Sequence, residues 1–338
     1  RAYGVEAAAV ERVYALTNDV GLAAESARRG AKSLARTGLA LFRPYRFMNA
    51  HKAASVADAL DHVGGPALFE TKYDGARLQI HVRAGATPEV RLYSRRLDDV
   101  TASMPDVAAS LAKAWRGGDA ILEGEAVAFD PSLEEKQPFQ AVLSRLGRIH
   151  DVEATAKAIP LVLFLFDLVF LDGKTLMATP QRERTERLGL LFRSSRRVRQ
   201  TDARLLGDRS EAEALFREAV AAGHEGLLVK DPAGVYEPGQ RVRTWMKVKP
   251  AFETLDVVVV GGIWGTGRRK GLLSSLVVAV RDGGGYATVG KVGTGFSEEA
   301  LAALTATLEP KVTATHGRRV EVEPAVVIEV DFQAIQKT

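Results

Sequence analysis

The chain has 338 residues, and Lys and Arg exceed Asp and Glu by only 46 to 42, a net charge of +4 that argues against a uniformly basic surface. That length accommodates two or three domains of about 100–200 residues each. The absence of cysteine excludes a disulfide framework, a thiolate zinc site, an iron–sulfur cluster and a cysteine nucleophile.

Any metal must therefore sit on oxygen or imidazole. The six histidines are scattered without a short ligand spacing, which makes Mg²⁺ or Mn²⁺ on carboxylates the default. The longest apolar run, Ile159 to Leu171, is interrupted by Asp167 and is shorter than the ~18–20 residues that a membrane span needs. No basic-then-apolar leader opens the chain, and a cytoplasmic location is expected.

In chain order, residues 1 to about 38 read as helix, with Val5, Ala9, Val13, Leu16 and Val20 on one face, ending in the basic run Arg28-Arg29-Gly30-Ala31-Lys32. This resembles the tail of a helical domain. Leu41-Phe42-Arg43-Pro44-Tyr45-Arg46 reads as a linker, because the proline disfavours helix. Strands follow at Ala67–Thr71, Arg77–Arg83, Glu89–Tyr93, Ala120–Phe129 and Leu161–Leu171, with helices near Met104–Ala114 and Gln181–Leu191. The pattern is that of an α+β domain running to about Pro250.

From Leu255 short strands at Asp256–Gly261, Leu276–Arg281, Tyr286–Val292, Val320–Glu323 and Val326–Asp331 suggest a small barrel with one helix, Glu298–Leu308. Gly261 to Gly267 reads as a barrel loop. It is no dinucleotide fingerprint, since a strand rather than a helix follows it.

The sharpest chemical feature is Glu70-Thr71-Lys72-Tyr73-Asp74-Gly75-Ala76-Arg77. Its Asp-Gly turn puts Lys72 at a strand end or loop mouth, where a Lys serves as a nucleophile if burial or nearby cations favour the neutral amine. Glu123-Gly124-Glu125 and Asp167 put carboxylates inside apolar strands, where an unpaired charge is costly and calls for a partner or a metal. Phe166 offers a ring on which a base can stack. Glu225-Gly226-Leu227-Leu228-Val229-Lys230 repeats the theme. Trp245-Met246-Lys247-Val248-Lys249 puts two lysines on one strand face, and Arg241 precedes them. Taken singly, each is the pattern of a structural ion pair or a core strand. Together they supply a nucleophile, carboxylates for a divalent metal, an aromatic platform and cations for phosphates.

In this order the segments Lys72–Arg77, Tyr93-Ser94-Arg95, Glu123–Glu125, Phe166-Asp167-Leu168, Glu225–Lys230 and Trp245–Lys249 resemble the nucleotidyltransferase motifs of ATP-dependent DNA ligases, most of all the archaeal-type branch also found in bacteria. The resemblance implies a multidomain α+β protein. Residues 1–40 would be the end of a helical DNA-binding domain and linker, 41–250 the adenylation domain, and 251–338 an OB-fold barrel that stops short of the family's final basic motif at Gln336-Lys337-Thr338. A hinge would lie near Pro250-Ala251-Phe252.

The resemblance also implies roles. Lys72 would attack the α-phosphate of ATP and carry AMP, Glu70 would bond the adenine amino edge, and Phe166 would stack on the adenine. Arg77 and Arg95 would hold the ribose and phosphate region. Glu125 and Glu225 would serve the ribose or the metals (Mg²⁺, with Mn²⁺ as a substitute), and Arg241, Lys247, Lys249 and Lys230 would neutralise phosphates.

AMP would then pass to a 5′-phosphate at a nick in duplex DNA, where the 3′-hydroxyl expels it. Arg268-Arg269-Lys270, together with Arg182, Arg184, Arg187, Arg193, Arg196, Arg197 and Arg199, would meet DNA phosphates. The implied enzyme is monomeric and nucleoid-associated, with ATP and nicked DNA as partners and a sliding clamp or repair proteins as further ones. Two other classes share parts of the pattern: an RNA ligase or capping-type nucleotidyltransferase, and a non-catalytic OB-type nucleic-acid-binding module.

Overall fold

The computed structural model describes residues 3–130, 135–250 and 253–332. Ala251 and Phe252 of the expected hinge, and Gln336 to Thr338, lie outside the described residues. The chain divides into two compact units after Pro250.

Alternation along the strands builds the first unit. A five-stranded sheet runs in the order Asn49–Lys52, Arg241–Val248, Leu227–Lys230, Ala67–Thr71, Ala203–Leu206, and its first pair is parallel. The main path of a seven-stranded sheet runs Glu89–Tyr93, Ala76–Arg83, Ala120–Asp130, Leu161–Leu171, Lys174–Thr175.

In the first sheet Ala67, Phe69, Leu227, Val229, Met246 and Val248 point outward, to pack under the helices Val56–Val63 and Arg209–Ala221. In the second, Leu78, Ile80, Val82, Ala120, Leu122, Leu163 and Leu165 do the same under the helices Pro105–Ala114 and Gln181–Gly189. The side chains of intervening parity turn inward. Ile121, Phe166 and Val169 from one sheet share a third core with Val242 and Trp245 from the other. The result is four layers, helices–sheet–sheet–helices, with the chemistry-bearing residues on the two inner faces.

The segment expected to be helical is so, as three helices, Ala7–Thr17, Val20–Arg28 and Ala31–Arg36. Asn18 ends the first in the left-handed region (φ 48), Asp19 caps the second, and Gly30 (φ 91) separates the third. The segment read as a linker is instead stitched to the sheet. The backbone amide of Phe42 donates to His81 Nδ1 at 2.8 Å, and the Tyr45 amide donates to Gln79 Oε1 at 3.0 Å.

The second unit is antiparallel, with strands in the order Gly285–Val292, Leu273–Asp282, Glu253–Trp264, Arg319–Val322, Val312–His316. Val327–Phe332 also pairs with the long strand, which therefore holds three neighbours along its length. Helix Glu298–Leu308 packs Leu304 and Leu308 onto its core. Gly261 to Trp264, expected in a loop, continue the long strand, and the chain turns only from Gly265. A side chain at Gly261 would meet the Val320 carbonyl at 2.7 Å, so glycine there marks close strand approach, not a loop.

Candidate active site

The two inner faces of the first unit enclose a cavity of about 830 Å³, within the range of small-molecule sites. Glu70, Lys72, Arg77, Arg95, Glu125, Phe166, Glu225, Arg241, Lys247 and Lys249 all line it. They come from six segments spread over the first unit: Glu70, Arg77, Glu125, Phe166, Arg241 and Lys247 sit in strands and reach it by parity, whereas Lys72, Arg95, Glu225 and Lys249 lie one or two residues beyond strand ends. Glu70 and Lys72 alternate with Phe69, Arg77 and Glu125 lie opposite each other in register, and Lys247 alternates with Met246 and Val248.

Backbone pairing fixes the nucleophile candidate. Lys72 N donates to the Gly226 carbonyl at 2.9 Å, and Glu225 N donates to the Lys72 carbonyl at 3.1 Å. Gly226 sits at φ 127, and a Cβ there would lie 2.1 Å from the Val248 carbonyl oxygen. A Cβ on Gly75 would lie 2.4 Å from that of Ala126. Both glycines are therefore required by backbone approach.

The Glu225 carboxylate bridges two ammonium groups, those of Lys72 and Lys249. Burial opposes its charge, yet these two lysines hold its carboxyl below the usual range. Burial pushes the Glu125 carboxyl up to about 7, against the opposing pull of Lys72 and Arg77. Lys247 is lowered by burial first, then by Arg241, Lys249 and Lys72. This wall thus mixes carboxylates and cations within mutual electrostatic reach. Glu125 and Glu225 are hard oxygen donors suited to Mg²⁺. Among the described residues no cluster of three metal-ligating side chains occurs, so substrate oxygens or water would have to complete a coordination shell.

A second wall is aromatic. Phe166 is almost buried, its ring crossed at 73° by Trp245. The Arg77 guanidinium lies 4.6 Å from the Phe47 ring centre, 5.6 Å from Phe166 and 5.7 Å from Trp245. It donates to Glu123 Oε2 at 2.5 Å. The other oxygen of Glu123 accepts from the hydroxyls of Tyr45, at 2.6 Å, and Tyr236. Burial alone would lower the Arg77 guanidinium, but Glu123 keeps it raised.

Lys230 departs from the expected phosphate-neutralising role. It is fully buried outside the cavity wall, with Nζ 2.7 Å from Glu70 Oε1 and 3.0 Å from the Phe166 carbonyl. Strand parity puts it beneath the aromatic wall. Arg184 likewise leaves the expected DNA-facing set. It is fully buried and forms a two-bond pair with Asp167, at 2.8 and 3.1 Å. Arg182 and Arg187 pair with Glu186 and Glu183 on their own helix, and Arg197 lies 3.7 Å from Asp106. The carboxylates Glu123 and Asp167 have cationic partners and need no metal.

Several wall residues were missed from the sequence. Phe139, Leu143 and Leu146 line the cavity from the helix Phe139–Arg145 and its C-cap. Their spacing, with Val142, is i, i+3, i+4, i+7, a helical signal that was there to find. Thr201, also in the wall, carried no such signal.

A family of enzymes that form phosphodiester bonds fits this arrangement. The family model described as the ATP dependent DNA ligase domain matches residues 47–249, more than half the chain, and the ATP dependent DNA ligase C terminal region matches 269–338. The chain belongs to the ATP-dependent DNA ligase family. It is similar to the DNA ligase of Thermococcus fumicolans, 43% identical over all of this chain and 60% of that protein, and to that of Methanopyrus kandleri, 43% identical over all of this chain and 61% of that protein. It thus spans about three fifths of the length of these relatives. Among solved structures a Lig E DNA ligase shares the fold, with a TM-score of 0.55 at 18% identity, over 77% of this chain and 88% of that one.

Proposed function

We propose that this chain activates ATP and seals nicks in duplex DNA, with Lys72 as the carrier of AMP. The observation that carries the reading is the convergence of ten separately expected side chains on one cavity, with Lys72 among cations and carboxylates.

In the first step the neutral amine of Lys72 attacks the α-phosphorus. The N–P bond forms, the bond from that phosphorus to the bridging oxygen breaks, and pyrophosphate leaves. The Lys72 proton departs to the adjacent Glu225 carboxylate or to water. Lys247, Lys249 and Arg241 balance the charge on the phosphate oxygens, which is the main requirement of phosphoryl transfer. Phe166 provides the stacking face and Glu70 the acceptor for the adenine amine. Glu125 and Glu225 would hold Mg²⁺, which would supply further charge neutralisation. AMP then passes to the 5′-phosphate, and the 3′-hydroxyl displaces it. The three N-terminal helices are the end of a DNA-binding domain in this reading, and the second unit is the OB barrel that meets the duplex.

The test is the intact mass of the purified chain before and after ATP and Mg²⁺, beside Lys72→Ala. One AMP on the unaltered chain alone is the expected result. An unmodified chain that nonetheless binds ATP would sink the reading. Nicked DNA against nicked RNA as acceptor then separates a DNA ligase from an RNA ligase.

A further inference from the structure

Thr201 has no place in the chemistry described so far. It follows the short strand Val198–Gln200, which runs parallel to Leu161–Leu171, and its amide continues that pairing by donating to the Leu165 carbonyl at 2.9 Å. Thr201 is therefore held by backbone, not by chance packing, beside Phe166 at the cavity wall. It is buried, with 5% exposure, yet it lines the cavity along with Glu70 and Phe166.

Its hydroxyl donates to Glu70 Oε2 at 3.1 Å, while Lys230 Nζ donates to Oε1 at 2.7 Å. The single Thr201 proton is thereby committed to Glu70, and its oxygen lone pairs remain. A carboxylate has about four lone-pair sites, of which the two donors take two. Glu70 and Thr201 together thus present acceptors and no donor. Burial raises the Glu70 carboxyl above the usual range, and the Lys230 ammonium and the Thr201 hydroxyl oppose that rise by favouring its ionised form. An all-acceptor edge welcomes an exocyclic amine and repels a carbonyl oxygen.

Resting on the ATP-using reading above, we propose that Thr201 is a specificity-determining residue of the nucleotide site: with Glu70 it accepts the 6-amino group of a 6-aminopurine and rejects a 6-oxopurine. Hydrogen-bonded sites discriminate strongly against analogues that leave their polar groups unpaired, which is the physical basis of the preference.

The test uses equilibrium calorimetry on the intact chain without divalent metal, so that binding is read apart from adduct formation. ATP is compared with inosine triphosphate, which exchanges the 6-amino group for an oxo group, and with 2,6-diaminopurine triphosphate, which keeps the amine. The unaltered chain should prefer both amino nucleotides over the oxo nucleotide. Thr201→Val should weaken the two amino nucleotides roughly fivefold to tenfold and change inosine triphosphate less than about twofold, in line with one lost hydrogen bond. Thr201→Ser should return the preference to within about twofold.

An equal loss for all three nucleotides would overturn the proposal in favour of a packing role. So would an unchanged preference in Thr201→Val, or a loss that Ser does not restore. Should Thr201→Val fold poorly, Thr201→Ala, which removes the hydroxyl without the second methyl, takes its place with the same expected and overturning results. Failure of the nick-sealing reading shows separately, as ATP binding without any AMP adduct on Lys72.

Discussion

Glu123 is absent from the cavity wall, yet it holds the group that the wall presents as Arg77. One carboxylate oxygen takes the guanidinium and the other takes two phenol hydroxyls, so Tyr45 and Tyr236 orient Arg77 without touching it. Hydrogen bonds to charged groups contribute about 1.5–3 kcal/mol. Tyr236→Phe should therefore slow AMP-adduct formation by roughly tenfold or more. The effect should vanish when Arg77→Ala is already present, because the coupling runs through that side chain. Rates of adduct formation for the four members of this cycle check it, and simple additivity would refute the coupling. Glu125 and Lys247 were legible in the sequence because strand parity decides which face they occupy, and Lys72 because it stands between a strand end and an Asp-Gly turn. The tyrosines were not, since Tyr45 and Tyr236 meet only after the strands Asn49–Lys52 and Arg241–Val248 pair.

At the scale of elements, residues 40–48 form a strap across the strands Ala76–Arg83 and Glu89–Tyr93. Phe42, in the left-handed region at φ 63, lies between the guanidinium groups of Arg83 and Arg91, at 4.4 and 4.3 Å. His81 accepts the Phe42 amide on Nδ1, and its Nε2 lies 3.0 Å from Gln79 Oε1, an arrangement that requires the neutral ring. Burial first, and then Arg91, lower His81 from 6.5 to about 3.

Since the folded state refuses a proton that the unfolded chain accepts, stability is full above about pH 6.5 and falls as pH drops toward about 3. Each unit of depression corresponds to about 1.4 kcal/mol. Denaturant unfolding at pH 7, 5.5 and 4.5 should show this loss, and His81→Asn, which keeps an acceptor for the Phe42 amide, should flatten it. An unchanged slope in that variant would exclude His81 as the source.

Several elements were plain in the sequence: Ala67–Thr71, Glu89–Tyr93 and Glu298–Leu308 form over the expected residues. The helices Val56–Val63 and Arg209–Ala221 went unread, although Ser55 and Asp208 cap them with an acidic residue three positions on. A proline and a run of large side chains made the strap look like a linker. Its order comes from buried partners on other strands, which no local pattern reveals.

For the whole molecule, the division after Pro250 leaves every cavity-lining residue in the first unit, which has its own sheet-associated cores. A chain ended after Pro250 should therefore unfold in one cooperative transition and bind ATP within about threefold of the full chain. Calorimetric melting and titration check both outcomes. Loss of cooperativity would mean that the first unit is not self-sufficient.

The bridge from Lys72 to Glu225 spans 153 positions of sequence, and the strand that carries Lys247 comes later still. On a ribosome adding about 5–20 residues per second, Lys72 emerges roughly 8–30 s before the carboxylate that holds it. Throughout that interval the nascent chain exposes apolar strands with no nucleotide site to close around. On the proposed function, ATP can lend the growing chain no binding energy until about residue 249 has cleared the exit tunnel. Any early protection of the seven-stranded sheet must come from chaperones or from its own hairpins.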